Sequence, residues 1–178
     1  MADTSRATAE TGGSTTRRRV IGRPSKPPIL SAMRVEFLKS ERNGRYGCRW
    51  TAIRGKRTVV PGTSMAAGKS IPHDLAQYVI EAATTYSYGF WGLIAEGATF
   101  KSTGRRVTKP GRGVIADHRT ELLHSEKLAG LYLSLWVARQ DGPVTDALDA
   151  AWTQWKDLAL EKPLVFHWRS AYGTIEDA

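Results

Sequence analysis

The sequence predicts an α+β domain: a three-stranded antiparallel sheet with a candidate fourth strand, and three to four helices packed on one face. Three observations lead there. Asn43-Gly44 separates two runs of alternating polarity, the strongest short hairpin signal a sequence carries. Pro61-Gly62 stops a third short β run. The segments Val114–Arg139 and Val144–Leu160 repeat apolar residues with the 3.6-residue helical period.

Residues 1–28 are rich in Ala, Thr, Ser, Gly and Arg, poor in bulky apolar side chains, and end in Pro27-Pro28. Such a segment buries too little surface to offset its ordering entropy, so a disordered basic arm is expected there. A single globular domain is expected over 29–170, with a short tail at 171–178.

Within that domain, Met33–Ser40 and Tyr46–Arg54 form the hairpin. A two-residue turn at Asn43-Gly44 sets Phe37 opposite Trp50 and Val35 opposite Ala52 on one apolar face. Arg34, Glu36 and Leu38 then share the other face with Arg49, Thr51 and Ile53. Gly55-Lys56 makes a second turn into a short strand, Arg57–Val60. Gly62–Lys69 reads as a loop. A helix is expected over Ile71–Thr85, with Pro72 in its first turn, Asp74 near its positive end, and Leu75, Val79 and Ala82 along one side. Gly89–Ala98 is a short apolar segment whose glycines weaken a helix. Thr99–Gly113 reads as a polar loop, Val114–Arg139 as one long helix ended by Gly142-Pro143, and Leu164–Trp168 as the candidate fourth strand.

A chain of 178 residues with 41% apolar and 24% charged residues suits one domain with a sizeable core. Its one cysteine, Cys48, rules out an internal disulfide framework and suggests a reducing compartment. No apolar stretch approaches the roughly 20 residues that span a bilayer, and Met1–Pro28 has no apolar signal core, so a cytoplasmic protein without membrane partners is expected. Six Trp exceed what core filling usually needs, which places some of them at an edge or a contact.

The net charge of +9 is unevenly spread. Residues 1–113 hold 20 Lys/Arg against 7 Asp/Glu, and residues 114–178 hold 6 against 10. This asymmetry points to an anionic partner for the N-terminal part, nucleic acid or another polyanion. The candidate anion-binding residues are Arg34 and Arg49 on the sheet, Arg105, Arg106, Lys109 and Arg112 before the long helix, and Arg17, Arg18, Arg19 and Arg23 in the arm. The arm's Gly22-Arg23-Pro24 is thin enough to enter a narrow minor groove, although Ile21 stands where a second groove-reading Arg would sit.

Catalytic signals are weak. Gly62 to Ser70 imitates a phosphate-binding loop but places five residues, not four, before Gly68-Lys69-Ser70, and Pro72 removes an amide where the phosphate-capping helix would run. His73, Asp74 and Glu81 are the candidate acid–base groups of a small enzyme acting on a phosphorylated or carboxylated metabolite, with Arg105 or Arg106 as its clamp. Two helical turns, roughly 12 Å, separate His73 from Glu81, which prevents them from sharing one ion. No metal ligand set or cofactor motif is present, and Cys48 reads as a buried structural thiol. A homo-oligomer or adaptor is the third candidate, from the wide apolar face between Leu122 and Trp136.

Ile71-Pro72-His73-Asp74-Leu75, Tyr78-Val79-Ile80-Glu81, Gly89-Phe90-Trp91-Gly92 and Ala95-Glu96-Gly97-Ala98-Thr99-Phe100 resemble a run found in small uncharacterised bacterial proteins. The resemblance spans about residues 33–100. It implies that Pro72–Phe100 is one recurring unit, and it brings no activity with it.

Overall fold

A computed structural model of the chain describes residues 32–55, 58–62, 65–66, 70–103 and 107–168. The arm and the tail expected at the termini lie outside them.

Strand β1 (Met33–Arg42) and strand β2 (Arg45–Arg54) form the hairpin, with Asn43 and Gly44 both at positive φ, 54° and 71°, as a two-residue turn of this hand requires. The register has Phe37 opposite Trp50 and Val35 opposite Ala52. Strand β3 (Thr58–Pro61) pairs with the far end of β2, and the two-residue β4 (Met65–Ala66) pairs with Gly47-Cys48 of the same strand. Strand β5 (Pro163–Trp168) is the fourth strand: it returns after the helices to lie antiparallel to β1, completing the order β3-β2-β1-β5. Alternation then decides the layers. Met33, Val35, Phe37, Cys48, Trp50, Ala52, Phe166 and Trp168 are buried, whereas Arg34, Arg49 and His167 face outward.

Five helices follow: α1 (His73–Ala83), α2 (Phe90–Glu96), α3 (Lys109–Asp117), α4 (Arg119–Val137) and α5 (Pro143–Asp157). The fifth arises because the expected long helix is two. At His118 the backbone leaves helical geometry (φ −122°, ψ 28°), and its ring stacks on Tyr88 at 4.0 Å with planes 7° apart. Helix α3 also begins inside the expected polar loop, where Thr108 caps it by accepting from the Gly111 amide at 3.1 Å, with Pro110 in the first turn.

Helix α1 is central, with every residue from Leu75 to Glu81 buried. Around it Phe37, Tyr78, Trp91 and Phe166 meet mostly edge to face, with Trp50 and Trp168 at the margins of the cluster. Four of the six Trp are buried; Trp136 and Trp152 stay partly exposed at the helical edge. Helix α5 is closed at its C-terminus from the sheet: Lys39 Nζ donates to the carbonyls of Trp155, Lys156 and Leu158 at 2.9, 3.0 and 3.1 Å. The cation satisfies orphan carbonyls at the negative end of the helix. No helix among the described residues is long and apolar enough to cross a membrane.

Candidate functional site

The structure separates the candidate acid–base residues by role. His73 is exposed at the start of α1, with Nδ1 3.5 Å from Asp74 Oδ1. Its pKa is raised, first by the bond with Asp74, while partial burial opposes and the charges of Asp74 and Glu126 add. Asp74 has a packing duty of its own: Oδ2 accepts from the Trp50 indole at 2.8 Å, and its carbonyl accepts from Trp91 Nε1 at 3.1 Å.

Glu81 is a structural node. It is 2% exposed and accepts four hydrogen bonds: from the amides of Phe90 (2.8 Å) and Trp91 (2.9 Å), Ser125 Oγ (2.7 Å) and Gln77 Nε2 (3.2 Å). The carboxylate thus caps the N-terminus of α2, which has no capping side chain of its own, and ties α1 to α4. Burial raises its pKa to about 7 against the lowering effect of those donors. Gly89 is required beside it, because a Cβ there would collide with the carboxyl group. Two cavities, of about 360 and 460 Å³, are lined by Glu36, Leu38, Arg49 and Pro61 on the open sheet face and by Thr84, Tyr132, Leu135 and Asp141 near the start of α5. Neither takes a wall from His73, Asp74 or Glu81. Among the described residues no group of three His, Cys, Asp or Glu side chains could hold a metal. Cys48 is buried as expected, and burial, with the charge of Asp74 adding, pushes its thiol up to about 12.

The cationic candidates divide in two. On the open sheet face Arg34 pairs with Glu36 at 2.9 Å and Arg49 reaches Glu161 at 3.6 Å. Sequence spacing could have signalled the first pair, since residues two apart on a strand share a face; the second depends on the return of β5. Lys109 and Arg112, by contrast, are exposed in the first turn of α3, and Lys101 is exposed in the short 3₁₀ turn Lys101–Thr103 before it. No ion pair among the described residues involves these three. Arg105, Arg106, Arg17, Arg18, Arg19 and Arg23 lie outside the described residues.

Topology defines the end of the sheet that the segment before α3 is tied to. Met33 pairs with both Arg54 and Trp168, and Arg54 pairs with Thr58. The start of β1, the β2–β3 connection and the end of β5 therefore share one end of the sheet. Arg54 Nη1 donates to the carbonyl of Ile94 at 3.0 Å, which fastens the C-terminus of α2 to that end. Gly97 closes α2 in the left-handed region (φ 106°). Two residues on, Thr99 Oγ1 accepts from the Thr108 amide at 3.0 Å and clasps the base of the loop carrying Lys101, so that the start of α3 with Lys109 and Arg112 is held beside it. Nothing in the sequence spacing announces this clasp, although a Thr two residues before Pro110 is a cap signal.

The described residues as a whole are nearly neutral, with 14 Lys/Arg against 13 Asp/Glu. The remaining 12 of the 26 cations, against 4 of the 17 carboxylates, belong to the other residues. Comparisons with protein-family models, with curated proteins and with solved structures return no match.

Proposed function

We propose that the chain is a non-catalytic module that binds a polyanion, nucleic acid first among them, through the end of the sheet where β1 begins. One observation carries this reading: the Arg54–Ile94 bond and the Thr99–Thr108 clasp support a place for exposed Lys101, Lys109 and Arg112 near the end of the sheet where Met33 pairs with Arg54 and Trp168, and in sequence Lys56, Arg57, Arg105, Arg106 and Arg169 stand close to these residues. Arg17-Arg18-Arg19 precede β1 in sequence, and β1 begins at that end. Glu96, at the last turn of α2, is the one carboxylate of the Phe90–Arg112 stretch. Lys101, Lys109 and Arg112, which enter no ion pair among the described residues, suit a ligand with regularly spaced phosphates. Arg34 and Arg49, already engaged by carboxylates, contribute less. A cytoplasmic setting accords with a single buried thiol.

Fluorescence anisotropy with a random-sequence duplex tests the reading. Binding is expected at 50 mM salt and is lost steeply by about 0.2 M, as counterion release requires. A chain indifferent to duplex and single strand at 50 mM salt overturns it.

A further inference from the structure

Helix α4 leaves part of its apolar surface outside the core: only Ser125 and Ala129 of its 19 residues are fully enclosed, while Tyr132, Leu133 and Trp136 pack partly against the core. Three of the five large apolar side chains that stay most exposed among the described residues lie on it, Leu123 at 55%, Leu131 at 52% and Val137 at 74%. We propose that this outer face of α4 is an interface with a second copy of the chain, the two α4 helices crossing antiparallel at Gly130.

The pattern favours a second copy over an unrelated partner because the surface complements itself. Leu123 and Val137 stand seven residues, about 10 Å, on either side of Gly130, and a seven-residue spacing keeps them on one stripe. A dyad through Gly130 therefore sets Leu123 of each copy over Val137 of the other, the reciprocal contact that an isologous interface requires. Gly130 leaves room for the close approach, since a Cβ there would meet nothing within 4 Å. Ser134, next along the stripe, turns its hydroxyl back to the Gly130 carbonyl at 2.9 Å, which spares the seam an unsatisfied donor. Leu131, one residue from the dyad, meets its own counterpart at the flank. Charge agrees with the antiparallel sense. Exposed Arg119 at the start of α4 and exposed Asp141 just beyond its end enter no ion pair among the described residues, and the dyad brings each to the end of the pair where the other copy has the opposite sign. Glu126 and Lys127 flank the stripe on opposite sides: Glu126 is drawn back toward α1, accepting from Gln77 Nε2 at 2.9 Å, and the Lys127 stem can lie along the seam with the ammonium in water.

Sedimentation equilibrium of the full chain, without nucleic acid, tests this independently of the polyanion reading. The expected mass is that of a dimer. Val137→Glu and Leu123→Glu, both at exposed sites, are each expected to weaken it tenfold or more while leaving the far-ultraviolet circular dichroism unchanged. Gly130→Cys is expected to form an intermolecular disulfide on mild oxidation, which buried Cys48 in the parent chain does not, and this keeps the test open if a charge variant fails to fold. A monomer at about 200 μM, or a dimer untouched by both charge variants and not cross-linked through Gly130→Cys, overturns the proposal.

Discussion

Replacing Glu81 by Ala removes the acceptor that four donors share, and the structure allows the cost to be worked out. The amides of Phe90 and Trp91, the first two of α2, lose their only capping group, and Ser125 Oγ and Gln77 Nε2 lose a partner. Trp91 and Ser125 are buried, so water does not readily replace the carboxylate, and each unsatisfied buried donor costs about 1–3 kcal/mol. Against this stands the desolvation of the carboxylate itself, which the variant relieves. A net loss of about 3 kcal/mol at pH 8 follows.

The pH dependence carries the sign. The folded-state pKa of about 7 lies above the unfolded value of 4.5, so the contribution is full below pH 4.5, where both states are protonated, and falls as pH rises toward 7. At 1.36 kcal/mol per pKa unit the whole span is about 3–4 kcal/mol, of which about 2–3 kcal/mol remains to be lost between pH 5 and 8. Urea unfolding followed by tryptophan fluorescence should therefore show a larger gap between parent and Glu81→Ala at pH 5 than at pH 8. A gap below about 1 kcal/mol, or one that does not change with pH, would refute the reasoning.

Two further outcomes follow from the same packing. Lys39→Met keeps the aliphatic stem but strips three carbonyls of their donor, and is expected to cost about 1–3 kcal/mol, with faster amide exchange confined first to the last turn of α5. Cys48 is expected to ignore a disulfide reagent at pH 8 in the native chain and to react fully in urea, because its thiol is buried and pushed up to about 12; reaction within seconds of mixing with the native chain would contradict its placement.

The sheet was legible in the sequence because its rules are local. A two-residue Asn43-Gly44 turn and a side-chain period of two leave one register for β1 and β2, and they place Phe37 against Trp50. The fourth strand was legible as a β run after Pro163, although its neighbour was not, since pairing with β1 closes a loop of over a hundred residues. The break at His118 was hidden: nothing in the sequence stops a helix there, and the stack on Tyr88 comes from tertiary packing. Glu81 misled for a similar reason. A His and a Glu on one helix look like chemistry, whereas three of the four donors that claim the carboxylate lie nine, ten and forty-four residues away, and only Gln77 is a helical neighbour. Charge asymmetry was visible in the sequence; that β1 begins at the same end of the sheet as Arg54 and Trp168 needed the register.

The salt dependence of duplex binding compares the two groups of cations directly. If the end bearing Lys101, Lys109 and Arg112 holds the phosphates, the triple Ala variant should reduce the slope of log K against log salt by about 2–3, roughly 0.9 for each phosphate no longer neutralised. Arg34→Ala with Arg49→Ala should leave it nearly unchanged. An unaltered slope in the triple variant, with the reduction appearing instead in the sheet-face pair, would place the ligand on the open face of the sheet and contradict the account.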